Sequence, residues 1–205
     1  KSVAYNVMER EAQSYRTVYE ALLQREKELA SLLAHEPQVT PRLVSIPSRE
    51  TSVKTRFVAG KQQLLRADRE STEALTAADR QSLLEAAAAA LAAAPGAPLA
   101  LSDYGKGVLG DDLTRSLIAL ARGQGRPVVV DPKGRDFGKY RGATLLTPNR
   151  AELALATGMP TDTDADVVAA CRKLIAEHDV AAVLATRSER GMTLVERDAV
   201  HHLPA

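Results

Sequence analysis

The sequence holds a single cysteine, Cys171, so no intrachain disulfide can form and zinc sites built from four cysteines are excluded. A reducing, cytoplasmic compartment is the expectation. Neither sign of charge is in surplus: Lys plus Arg number 27 against 26 Asp plus Glu, a formal net charge of +1. Binding to a nucleic-acid backbone or to an anionic membrane surface is therefore not expected. Long apolar runs are missing too. The longest uncharged stretch, Ala86 to Ser102, is broken by Pro95, Gly96 and Pro98 and falls short of the roughly 20 apolar residues that span a bilayer. Charged residues run through the N-terminal segment in place of an apolar signal core. His35, His178, His201 and His202 lack metal-ligand spacing, and the last two would point to opposite faces of a strand. What the 205 residues do contain, 45% hydrophobic and 26% charged side chains, suffices for one sizeable core.

Glycine and proline are absent from residues 1–36, and all 12 glycines and 10 prolines lie downstream. In that first segment Tyr5, Met8, Ala12, Tyr15, Tyr19, Leu22, Glu26, Leu29 and Leu33 recur alternately three and four apart. This spacing predicts a long amphipathic helix, roughly 50 Å at 1.5 Å per residue, whose seam needs a partner. A proline-containing link over 37–52 follows. Val53–Val58 and Gln62–Ala67 read as a hairpin, and Thr76–Ala94 as an alanine-rich helix ended by Pro95-Gly96.

Beyond Leu99, short apolar runs alternate with amphipathic helices, the pattern of an α/β fold built on a doubly wound parallel sheet. Leu113, Leu117 and Leu120 mark one helical face; Val167, Cys171, Leu174 and Ile175 mark another, which makes Cys171 a core residue. Met192–Val195 and Val200–Leu203 read as an antiparallel hairpin at the sheet edge. Ligands bind beyond the carboxyl ends of strands in such sheets, and four strand ends here deliver Asp103, Asp131, Asn149 and Thr186.

At the first exit, Ser102-Asp103-Tyr104-Gly105-Lys106-Gly107 sets a carboxylate and an ammonium in a loop with two permissive glycines. It is either an anion-approaching loop or a turn in which Asp103 caps backbone donors. At the second, Lys133 and Arg135 meet a phosphate or are solvated surface charge. At the third, Asn149 and Glu152 stand one helical turn apart, as a capping pair or as side chains facing a Mg²⁺ shell directly or through water. The fourth, Thr186-Arg187-Ser188-Glu189-Arg190-Gly191, offers hydroxyls and a glycine without a Walker lysine.

Several segments together carry a resemblance. Val53-Lys54-Thr55-Arg56, the run Gln62–Asp68, LSDYGKGVL, PVVVDPKGRDFGKYRGATLLTPNRAEL and ATRSERGMTLV resemble the kinase domain of the bifunctional heptose-7-phosphate kinase/adenylyltransferase family. These are ribokinase-like, PfkB-type sugar kinases, and the likeness extends over about Arg42 to Ala205. The resemblance implies transfer of the ATP γ-phosphoryl group to the anomeric hydroxyl of D-glycero-D-manno-heptose 7-phosphate, a step toward the lipopolysaccharide core. It implies ATP and Mg²⁺ as cofactors. Asn149 and Glu152 match the family's Asn-x-x-Glu motif for Mg²⁺ and phosphate, while Thr186, Ser188 and Gly191 match its nucleotide turn. Lys133 is placed with the nucleotide and Mg-phosphate group, and Lys54, Arg56, Asp103 and Lys106 are the candidates for the sugar phosphate.

Two departures accompany the likeness. The family's Gly-Ala-Gly-Asp loop, which supplies an anion hole and the aspartate base, has no counterpart: Gly123-Gln124-Gly125 carries no acid, and Gly110-Asp111 opens a predicted helix. No catalytic residue is therefore assigned, and the base is expected beyond Ala205. The acidic sugar-binding strand and the Gly-Gly-Ala-Asn segment that open the family are absent before Arg42. Residues 1–36 are instead similar to a helical segment of bacterial polysaccharide chain-length and export proteins. With Lys1 in place of an initiator methionine, the expectation is a piece of a kinase: a helix over 1–36, a linker over 37–52 and a partial ribokinase-like domain over 53–205. Such a piece is expected to be inactive alone and to form homo-oligomers. The alternatives are a noncatalytic oligomerising protein and a ribokinase-like kinase for another sugar.

Overall fold

The computed structural model describes residues 39–205 apart from Lys61. The helix expected over 1–36 lies outside the described residues. Two compact units divide between Arg69 and Glu70.

In the first unit, β1 (Val53–Ala59) and β2 (Gln62–Arg69) form the expected antiparallel hairpin, each running slightly past the bounds read from the sequence. Their register runs from Val53 opposite Arg69 to Phe57 opposite Leu65, then shifts at a bulge between Phe57 and Val58. Alternation along β1 sets Lys54 and Arg56 on one face, across from Asp68 and Arg66. Asp68 accepts from Lys54 Nζ at 3.2 Å and from Arg66 Nε at 2.9 Å.

The second unit opens with α1 (Ala77–Ala93). Thr76 caps it, accepting from the Asp79 amide while the Asp79 carboxylate takes the Thr76 amide, and the alanines supply helix propensity up to Pro95. A six-stranded sheet follows in the order β3 (Leu99–Ser102), β4 (Val128–Asp131), β5 (Leu145–Leu146), β6 (Ala182–Thr186), β7 (Met192–Glu196) and β8 (Val200–Leu203). The first four are parallel, and the last two add the expected antiparallel edge. Crossovers contain α2 (Asp111–Gly123) between β3 and β4, and α3 (Arg150–Thr157) with α4 (Asp164–His178) between β5 and β6.

The core is a row of side chains in register. Leu101, Val130, Leu146, Val183 and Val195 sit opposite one another across five strands, and all are buried. Burying each such side chain is worth about 1.5–3 kcal/mol. Intervening residues, such as Val129, Leu145 and Leu184, are only half-buried, so the second face of the sheet is covered less completely than the apolar strand sequences imply. On α2 the buried stripe is Leu113, Thr114, Leu117, Ile118 and Ala121; Leu120, expected on that face, sits at its half-buried margin. Cys171 is buried beside Val167, Leu174 and Ile175, and burial pushes its thiol pKa up to about 12.

Candidate functional site

The four parallel strands end side by side. The Asp103 amide donates to the Asp131 carbonyl at 3.0 Å, the Thr147 amide to the Val130 carbonyl at 2.9 Å, and the Thr186 amide to the Pro148 carbonyl at 3.0 Å. A bridge joins Asn149 to Thr186. The polar residue of each exit is thereby fixed to the next strand, so the motif residues form one row although the sequence spreads them over more than eighty positions.

At the β3 exit, Asp103 is 5% exposed and its carboxylate is fully engaged. Oδ1 accepts the Gly105 amide at 2.7 Å, and Oδ2 accepts Lys139 Nζ at 2.6 Å and the Tyr140 hydroxyl at 2.7 Å. Burial pushes this carboxyl up, but the hydrogen bonds from Lys139, Tyr140 and Gly105 outweigh it and hold the pKa below its ordinary value. Lys139 also donates to the Leu109 carbonyl at 3.1 Å, closing both ends of the 103–109 loop. The capping alternative thus describes where Asp103 stands. Lys106, in the same loop, pairs with Glu70. Gly107, at φ +79°, presses on the backbone of Thr72 and Glu73, where a Cβ would fall 2.7 Å from the Thr72 carbonyl oxygen.

At the β4 exit, Lys133 Nζ donates to Glu152 Oε1 at 2.7 Å, and this bond raises the Lys133 pKa. The Lys133 side chain is 50% exposed, while that of its partner Glu152 is 12% exposed. Its amide donates to the Tyr140 hydroxyl at 3.0 Å, so Tyr140 links the first two exits. Burial, and then the adjacent Asp103, push the Tyr140 pKa well up.

At the β5 exit, Asn149 is the N-cap of α3: its side chain accepts from the Glu152 amide at 3.0 Å, and Glu152 Oε2 accepts from the Asn149 amide at 3.0 Å. The capping pair is therefore formed. Glu152 still spends its other oxygen on Lys133, so one buried carboxylate joins a helix N-terminus to a cation from β4. At the β6 exit, Thr186 is half-buried and Ser188 is exposed at φ +53°, ahead of Gly191 at φ +74°. A Cβ on Gly191 would collide with the Leu203 carbonyl oxygen, so the turn packs onto the backbone after β8.

The structure thus brings Asp103, Lys133, Asn149, Glu152, Thr186 and the turn to Gly191 to one end of one sheet. Lys54 and Arg56 belong to the other unit, on one face of its hairpin. A groove of about 570 Å³ lies at the opposite end, beside Arg122, Gly142, Asp179 and Arg197, where no candidate residue stands. Sequence reasoning missed Lys139, Tyr140 and Arg187. A signal existed for Tyr140: Phe137 and Tyr140 stand three apart in an otherwise charged loop, and both are buried, in edge contact at 5.5 Å. Nothing local distinguishes buried Arg187 from exposed Arg190.

Comparison with known proteins agrees with this architecture. Bifunctional protein HldE of Rhodospirillum rubrum is 56% identical over 179 residues, covering 87% of this chain and 36% of that protein. Its namesake from Gluconacetobacter diazotrophicus is 49% identical over 178 residues, 86% of this chain and 36% of that protein. The chain therefore spans 36% of the length of these two curated relatives. Phosphofructokinase-2 from Escherichia coli in complex with fructose-6-phosphate superposes with a TM-score of 0.57 at 21% identity, over 75% of this chain and 50% of that one, which shows a shared fold. The model of the pfkB family carbohydrate kinases matches residues 27–205, beginning upstream of Arg42 and extending through every described strand and helix, and the chain belongs to that family.

Proposed function

We propose that this chain carries the nucleotide and Mg-phosphate side of an ATP-dependent kinase for D-glycero-D-manno-heptose 7-phosphate, acting at the anomeric hydroxyl in lipopolysaccharide core synthesis. The observation that carries the reading is the Lys133–Glu152–Asn149 connection: a cation, a carboxylate and a capped helix N-terminus held together at the carboxyl ends of parallel strands. Identity of 44–56% to proteins called HldE supports the choice of sugar.

Phosphoryl transfer depends on positioning and on charge stabilisation. In this reading the acceptor hydroxyl oxygen bonds to the γ-phosphorus, the bond to ADP breaks, and the hydroxyl proton passes to a base. The Lys133 ammonium neutralises phosphate charge as a point cation, and the Thr186, Ser188 and Gly191 turn holds the nucleotide. Among the described residues no three His, Cys, Asp or Glu side chains cluster as a metal cage. Glu152, a carboxylate in the first turn of α3, and its N-cap Asn149 would hold Mg²⁺ through its waters, because this ion keeps several waters and takes one or two carboxylates plus substrate phosphates. When bound, Mg²⁺ neutralises charge on the phosphates. Lys106 serves the sugar phosphate, with Asp103 ordering the loop that carries it; Lys54 and Arg56 are sugar-phosphate candidates within their own unit.

Calorimetric titration with Mg-ATP tests this. Asn149→Asp keeps a capping oxygen but adds negative charge, and Glu152→Gln keeps the capping-box geometry but removes charge. Weaker binding in both, with melting temperatures unchanged, supports the reading; a folded parent that binds no Mg-ATP refutes it. The oligomerising alternative has one observation in its favour: Phe57, Val58, Leu64 and Leu65 of the hairpin are each at least 50% exposed. We infer a homo-oligomer that uses this surface. Light scattering checks it, since Leu64→Lys with Leu65→Lys should lower the mass, and a parent already monomeric would remove the inference.

A further inference from the structure

We infer that Arg187 is a positioning residue for the Thr186–Gly191 turn, fixing from inside the protein the groups that the nucleotide would contact; the inference rests on the nucleotide reading of that turn. Arg187 is 4% exposed, while Ser188, Glu189 and Arg190 beside it are exposed. Nη1 donates to Thr193 Oγ1 on β7 at 2.9 Å, and Nη2 donates to Asp164 in the first turn of α4. The backbone of the same residue closes the turn. Its amide donates to the Gly191 carbonyl at 2.8 Å, and its carbonyl accepts the Arg190 amide at 3.1 Å. One side chain therefore ties the turn to a strand and to a helix, while the Thr186 amide ties its start to Pro148 beside Asn149.

The turn needs such ties. Ser188 at φ +53° and Gly191 at φ +74° both occupy the left-handed region, and a non-glycine residue stays there only where its surroundings over-determine the backbone. A guanidinium is also a costly way merely to fill space, because Arg187 Nε is buried without a partner. An apolar side chain of similar length would fill the volume without that orphan donor. What it would lack is the pair of directed bonds. The Asp164 side chain is 64% exposed, so removing Arg187 strands no buried charge, and a variant should fold. The tie continues outward: Thr193 Oγ1 lies 3.0 Å from His202 Nδ1. Thr193 Oγ1 thus stands between the guanidinium and the imidazole, so removing Arg187 changes the hydrogen bonding that His202 Nδ1 meets.

The experiment compares the full chain with Arg187→Met, Arg187→Lys and Asp164→Ala by Mg-ATP calorimetry, thermal melting and ¹⁵N NMR of the histidine rings. Arg187→Met is expected to bind about tenfold more weakly and to shift the His202 ring nitrogen resonances, with its melting temperature within about 2 °C of the parent. Arg187→Lys, which keeps a donor, should fall between the two. A folded Arg187→Met with the parent's affinity overturns the inference. If that variant does not fold, Asp164→Ala decides: weaker binding supports the role, and unchanged binding overturns it. A parent that binds no Mg-ATP removes the nucleotide reading and this role together, whereas unchanged variants of a binding parent remove this role alone.

Discussion

Replacing Lys139 by methionine removes the ammonium from the least exposed ion pair among the described residues, with side chains 15% exposed for Lys139 and 3% for Asp103. Stranding a buried charge in this way costs about 3–5 kcal/mol. Two features reduce the cost here: Tyr140 and the Gly105 amide still donate to the carboxylate, and water reaches the Lys139 position. The expected loss is about 2–3 kcal/mol, or about 5–10 °C in melting temperature for a chain of this size. Urea unfolding followed by circular dichroism at neutral pH measures it. Asp103→Asn in the Lys139→Met background should restore part of the loss, giving a coupling of about 1–3 kcal/mol. Because folding lowers the Asp103 pKa from 3.8, the pair's contribution is present above that value and is lost as pH falls through the lower, folded value. The gap between parent and variant should therefore close in acid. A variant within about 0.5 kcal/mol of the parent, or an additive cycle, would refute the assignment of Asp103 as the buried anchor of the 103–109 loop.

Gly191→Ala should destabilise the chain by more than about 1 kcal/mol, since it sets a Cβ against the Leu203 carbonyl at a backbone angle that disfavours side chains; thermal melting checks this. Folding raises the Tyr140 pKa above 10.0, so its contribution is whole below that value and declines as pH rises past it. In Tyr140→Phe the alkaline decline of stability should accordingly be shallower, as pH-dependent urea midpoints would show. Cys171, buried with its pKa pushed up to about 12, should resist a thiol reagent in the native chain and react at once in denaturant. Rapid native labelling would contradict its place in the core.

Much of the fold was legible because it is written locally. Thr76 with Asp79 and Asn149 with Glu152 are three apart, which is all that a capping box needs, and the Gln62–Arg69 run lies within a short turn of its partner strand. The site was less legible for the opposite reason. The sequence left Asp103 open between anion loop and cap, and the choice was made by Lys139 and Tyr140, 36 and 37 residues away. Glu152 likewise read as a capping residue or an ion ligand, and only Lys133, 19 residues upstream, shows its carboxylate turned toward a cation.

By itself the sequence determined the kind of elements, their order and approximate ends, and which strand exits carry polar groups. Periodicity, capping pairs and glycine or proline stops act over a few residues of chain. Tertiary structure alone decided that four exits would be hydrogen-bonded into one row, that Asp103 would be buried and saturated, and that Arg187 would turn inward while Arg190 stays exposed. Burial and hydrogen-bond satisfaction depend on groups far apart in the chain, and register across the sheet is what brings those groups within reach.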